Sequence, residues 1–105
     1  FGLGGVYVEV FRDVAFRICP IRRVDAEDMI DELVCKPILE GARGGMAADR
    51  ESLVDLLLRV GGAEGVMVRE QDRIEELDLN PIIIRGDTQI VVDARVVLKE
   101  ACADA

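Results

Sequence analysis

The feature that most constrains this chain is a pair of alternating segments near its end. "ELDLNPIII", Glu76 to Ile84, is followed after "RGDT" by "QIVVDARVVL", Gln89 to Leu98. Both alternate with the period that puts successive side chains on opposite faces of a sheet. The glycine-containing turn between them predicts an antiparallel hairpin, with strands over about 74–84 and 89–98. Leu77 and Leu79 then share a core face with Val92, Ala94 and Val96, and Asp78, Asn80, Asp93 and Arg95 share the other. Pro81 sits directly after Asn80, where it withholds an N–H from the ladder and restricts the asparagine backbone.

The remaining segments must supply a partner for that hairpin. "GVYVEVFRDVAFRIC" alternates too and predicts a second hairpin. A three-residue turn, Phe11-Arg12-Asp13, would pair Val10 with Val14 and Val8 with Phe16, and would put Glu9 and Arg17 on one face. Asp25 is expected to cap a helix with the apolar stripe Met29, Ile30, Leu33 and Val34, ended by Pro37. "LEGARGGMA" reads as a loop. Asp49 caps a second helix, with Leu53, Val54, Leu56, Leu57 and Val60 inward and Gly61-Gly62 at its end. "AEGVMVREQD" reads as a further helical stretch. The order ββααββ predicts an α+β two-layer sandwich, in which a four-stranded, mainly antiparallel sheet carries helices on one face.

With 105 residues, half of them hydrophobic, the chain is expected to form one domain, residues 1–105. It begins with Phe, and it is expected to start inside a longer protein. The net charge of −8 argues against nucleic acid or an anionic membrane as a partner. Three widely spaced cysteines and no histidine give no zinc pattern and fit reduced thiols in the cytoplasm. No apolar run is long enough to span a bilayer.

Oxygen ligands on one face of adjacent strands suit a hard cation. Magnesium takes one or two protein oxygens and leaves the rest of its shell to water and phosphate, and Asn80 with Asp93 fits that role. The same pattern also describes an ordinary solvated outer face.

Three segments carry a family resemblance. "ELDLNPIII" with "IVVDARVVL" resembles the end of the ATP-grasp domain of the acyl-CoA synthetases (NDP-forming). These include the ADP-forming acetate–CoA ligases and, more distantly, the succinyl-CoA synthetase β subunit. "GLGGVYVEVFRDVAFRICPI" is similar to the family's "GLGG-(I/V)-x-VEV-x-x-DVAFR" segment, and "LEGARGG" to its "LxGxRG" loop. The resemblance implies that Asn80 and Asp93 are magnesium ligands holding the ion against ATP or ADP. It implies that Asp78 stands where relatives carry a glutamate that handles a phosphohistidine. Glu9 and Arg17 fall on the nucleotide-facing surface, and Arg43 lies in a loop that could reach a phosphate; a solvated loop arginine fits Arg43 as well.

The half of the site that grips the nucleotide, and the CoA-binding and phosphohistidine domains, have no counterpart in this sequence. They are the implied partners, and the chain alone is expected to be inactive. An apolar surface that normally meets another subdomain could also drive self-association. A competing implication is a regulatory or oligomerisation domain fused to a GNAT-type protein acyltransferase. A plain interaction domain without nucleotide is the third reading.

Overall fold

The computed structural model describes residues 1–41 and 46–100. In chain order its elements are α1 (Gly5–Glu9), α2 (Arg23–Glu32), α3 (Lys36–Leu39), α4 (Arg50–Gly61), α5 (Val66–Arg69), β1 (Ile74–Leu79), β2 (Ile82–Arg85), β3 (Thr88–Val91) and β4 (Ala94–Leu98). The class is α+β, and β1 pairs with β4 and β2 with β3, both antiparallel. Among the described residues no helix is long and apolar enough to cross a membrane.

The core lies between α2 and α4. Ala26, Met29, Ile30 and Leu33 meet Leu53 and Val54, and Ala15 and Ile21 complete the buried cluster. Asp49 caps α4 as its sequence predicts: its carboxylate accepts from the Ser52 N–H at 3.1 Å and from the Ser52 hydroxyl at 2.8 Å. Gly62 ends the same helix, and α5 supplies the further helical stretch.

Helix α2 departs from its prediction at both ends. Its N-cap is Arg22, not Asp25. Asp25 sits one turn in and accepts the Arg22 N–H at 2.8 Å, the reciprocal half of a capping box. The C-terminal end comes early because Asp13 intervenes. The buried Asp13 carboxylate accepts the N–H of Val34 at 2.8 Å and that of Cys35 at 2.9 Å. Those donors would otherwise turn back to carbonyls of α2. Leu33 is therefore extended, and Val34, expected in the core, is 84% exposed. Pro37 falls in the first turn of α3, where its missing N–H costs nothing.

The predicted N-terminal hairpin does not form, so the four-stranded sheet is replaced by two two-stranded ones. Gly2 bridges Val14, and Phe1 and Ala15 exchange hydrogen bonds at 2.8 and 3.0 Å. That pairing is centred on Val8, whereas the predicted hairpin is centred on Arg12. Val14 cannot face Gly2 and Val10 together, and residues 3–13 become the connecting loop that holds α1. The outcome for the apolar alternation is plain: Val6, Val10 and Phe11 are exposed, Phe16 is 79% and Ile18 93% exposed. Gly2 permits the bridge because a side chain there would meet the Val8 side chain at 2.8 Å.

The C-terminal hairpin also differs from the two-layer expectation. Among the described residues, Ile84 is the hydrophobic side chain of the hairpin that packs against the helical core, and the Gly86 carbonyl accepts the Asp49 N–H at 2.8 Å. Leu77 and Leu79 are half-buried, while Val92, Ala94 and Val96 are exposed. The helices pack on one another and leave most of the hairpin uncovered, which accounts for the extended 56 × 27 × 23 Å shape.

Two predictions follow from the packing. Leu53→Ala should cost about 2–5 kcal/mol in urea unfolding, whereas Phe16→Ala should stay within about 0.5 kcal/mol; equal costs would restore the hairpin. The N–H donors of Cys35 and Val34 hold the Asp13 carboxyl below the usual carboxylate range. Because its folded pKa is depressed, the stability it contributes is present above the unfolded pKa and lost as pH falls through the folded one. Asp13→Asn should lower the urea midpoint at neutral pH and flatten its decline in acid. A variant that melts in parallel with the parent protein at every pH would contradict this role.

Candidate functional site

The site is built where both long strands break. Asp78 pairs with Arg95 and Leu79 with Ala94; beyond the break, Ile82 pairs with Val91 and Ile83 with Ile90. The register is the same on both sides, so no residue is gained or lost between the two ladders. Asn80 therefore lies opposite Asp93 and Pro81 opposite Val92. The Asn80 N–H donates to the Asp93 carbonyl at 3.1 Å, and the Val92 N–H to the Pro81 carbonyl at 3.0 Å. Pro81 explains the interruption, since it has no N–H for a regular ladder.

Carboxylates dominate the surroundings. Glu76, Asp78, Asp93 and Arg95 are all exposed. Arg95 stands across from Asp78 and donates to Glu76 at 3.5 Å. Among the described residues no three His, Cys, Asp or Glu side chains converge as a closed metal cage. One amide and one carboxylate in cross-strand apposition instead suit an ion that takes few protein ligands, as magnesium does. Residues 1–98 match the family model for the ATP-grasp domain.

The chain belongs to the ATP-grasp family.

It is 48% identical over 101 residues to the acetate–CoA ligase (ADP-forming) II subunit beta of Pyrococcus furiosus, covering 94% of this chain and 42% of that protein. Among solved structures it resembles the dinucleotide-forming acetyl-coenzyme A synthetase 1 of Ca. Korarchaeum cryptofilum. One form is in complex with coenzyme A, acetyl-coenzyme A and a phosphorylated phosphohistidine segment; at 45% identity the TM-score is 0.84, with 94% of this chain and 42% of that one covered. Another form holds coenzyme A and Mg-AMPPCP, with a TM-score of 0.82. This chain thus spans about two-fifths of the length of these relatives, and the family resemblance carried by its motifs stands.

The other residues singled out by the ATP-grasp resemblance are dispersed. Glu9 is the exposed last residue of α1, not a strand residue beside Arg17. Arg17 reaches α2 instead: it forms a two-point ion pair with Glu32 and donates to the Phe16 carbonyl at 2.7 Å. Hydrogen bonding to Glu32 raises the Arg17 pKa, and the same contact lowers that of Glu32. Arg43 lies outside the described residues.

Two residues of consequence escaped the sequence reading. Asp13 reads as a turn residue in the sequence, and only the apolar run that follows it in "RDVAF" hints that its carboxylate is buried. Gly4 lies beside the site: a side-chain carbon placed there would stand 3.9 Å from Asn80 Oδ1. The sequence gives no hint of that proximity, which depends on the path of the N-terminal loop.

Proposed function

We propose that residues 1–105 form a single domain, the C-terminal ATP-grasp subdomain of an NDP-forming acyl-CoA synthetase, and supply half of its magnesium–nucleotide site. The parent would interconvert acyl-CoA, ADP and phosphate with a carboxylate, CoA and ATP in the cytoplasm. The observation that carries this reading is the apposition of Asn80 and Asp93 within a chain 48% identical to an ADP-forming acetate–CoA ligase subunit.

Asn80 and Asp93 would hold magnesium, which when bound neutralises phosphate charge and fixes the geometry of phosphoryl transfer. Asp93 contributes the charge, and Asn80 contributes an oxygen without a second full charge. Asp78, two residues from Asn80, would face the incoming phosphohistidine; its position across from Arg95 tempers repulsion of that anion. The chain has no histidine, so the phosphorylated residue would come from another part of the protein. The relative solved with a phosphorylated phosphohistidine segment supports that division. Glu9 and Arg43 are proposed for the nucleotide-facing surface. The Glu32 pair favours Arg17 as a strut that fixes residues 16–18 to α2 over a direct phosphate contact. The exposed valines of the hairpin would be covered by the preceding ATP-grasp subdomain.

The experiment is calorimetry of ADP binding to the intact protein with magnesium. Asn80→Ala and Asp93→Ala should each weaken binding at least about tenfold and lower turnover; unchanged affinity and turnover in both would refute the reading. The isolated 105-residue chain should show no micromolar ATP affinity.

A further inference from the structure

We propose that Gly4 is a positioning residue for the Asn80 amide, an inference that rests on the metal-site reading above. Three observations converge on it. Gly4 has φ 74° and ψ −178°, a combination essentially confined to glycine. Leu3 on one side packs against the core cluster, and α1 begins at Gly5 on the other. Gly4 is therefore the corner where the chain leaves the core, and the corner sits against Asn80 Oδ1, with 3.9 Å separating that oxygen from the place of a side-chain carbon.

Bulk is not the obstacle to a side chain here, since 3.9 Å is ordinary van der Waals contact. Conformation is. An L residue would favour negative φ and swing the corner away from its present path. Because Leu3 is held by the core, the displacement would fall on α1 and on the flank of Asn80. Glycine thus holds bare backbone beside the ligating oxygen and fixes one wall of its surroundings. Gly5 provides an internal contrast. Its φ of 51° is a left-handed value that asparagine tolerates, and a side chain there would meet nothing within 4 Å.

The test uses manganese as the probe in the intact protein, with free ion followed by electron paramagnetic resonance. Gly4→Ala should weaken manganese binding by roughly tenfold or more, the scale of a forced backbone outlier, and leave metal-free nucleotide affinity unchanged. Gly5→Asn should stay within about twofold of the parent protein, as a tolerated left-handed position should. If Gly4→Ala proves unfolded by circular dichroism, the parent protein labelled with ¹⁵N-glycine decides: manganese should broaden the Gly4 amide among the first glycine signals. Normal manganese binding by a folded Gly4→Ala, or an unbroadened Gly4 signal at saturation, overturns the positioning role. Asn80→Ala separates the two levels. If it binds manganese normally, the metal site itself fails; if it does not, while Gly4→Ala does, only the role of Gly4 fails.

Discussion

The apposition at the strand break depends on one constraint, the conserved register on either side of Asn80–Pro81. A proline in a long strand removes a hydrogen bond and usually marks an edge or an irregularity. Here the ladder stops and resumes without a slip, because Asn80 and Val92 bond across the gap at 3.1 and 3.0 Å. Had one residue been inserted or lost, every side chain beyond the break would have changed face. The turn at Gly86 helps fix that register from the far end, where its carbonyl is tied to the capped start of α4. The interruption therefore frees a small stretch of backbone from regular pairing and keeps an amide and a carboxylate opposite each other.

A second constraint sets the N-terminal part. Asp13 is buried and satisfied by two backbone donors just beyond α2. Burying a carboxylate without such donors would be costly, so its position decides where α2 stops, where Val34 points and which residues can pair with Gly2. The loop from Leu3 to Asp13 is then closed, and α1 fills it. Gly4, at the start of that loop, comes to the Asn80 flank as a consequence. The two constraints meet there: the C-terminal hairpin places Asn80 opposite Asp93, and the N-terminal loop runs beside Asn80.

Much of this was legible in the residues. The last hairpin, its turn, the Asp49 cap and the Gly62 end of α4 follow from alternation and capping chemistry. The N-terminal segment predicts a hairpin, because Val6, Val8 and Val10 alternate as a buried strand does, but that hairpin does not form. Period alone cannot tell whether such a face meets a core within this chain. Phe16 and Ile18 show the outcome, being apolar, correctly spaced and exposed. The capping role of Asp25 was displaced by three residues because Arg22 provides the extended N-cap and Asp25 the returning acceptor. The contact of Gly4 with Asn80 joins positions 76 apart in number, and no local pattern carries that information.

Under the proposed reading, the hairpin's exposed valines are where the preceding ATP-grasp subdomain would pack. The most direct measurement is anomalous scattering from manganese in crystals of the intact protein with a non-hydrolysable nucleotide. One peak should lie about 2.0–2.2 Å from both Asn80 Oδ1 and an Asp93 carboxylate oxygen, the spacing of a small hard cation. A peak coordinated elsewhere, or Asn80 and Asp93 turned to opposite sides of the hairpin, would contradict the assignment.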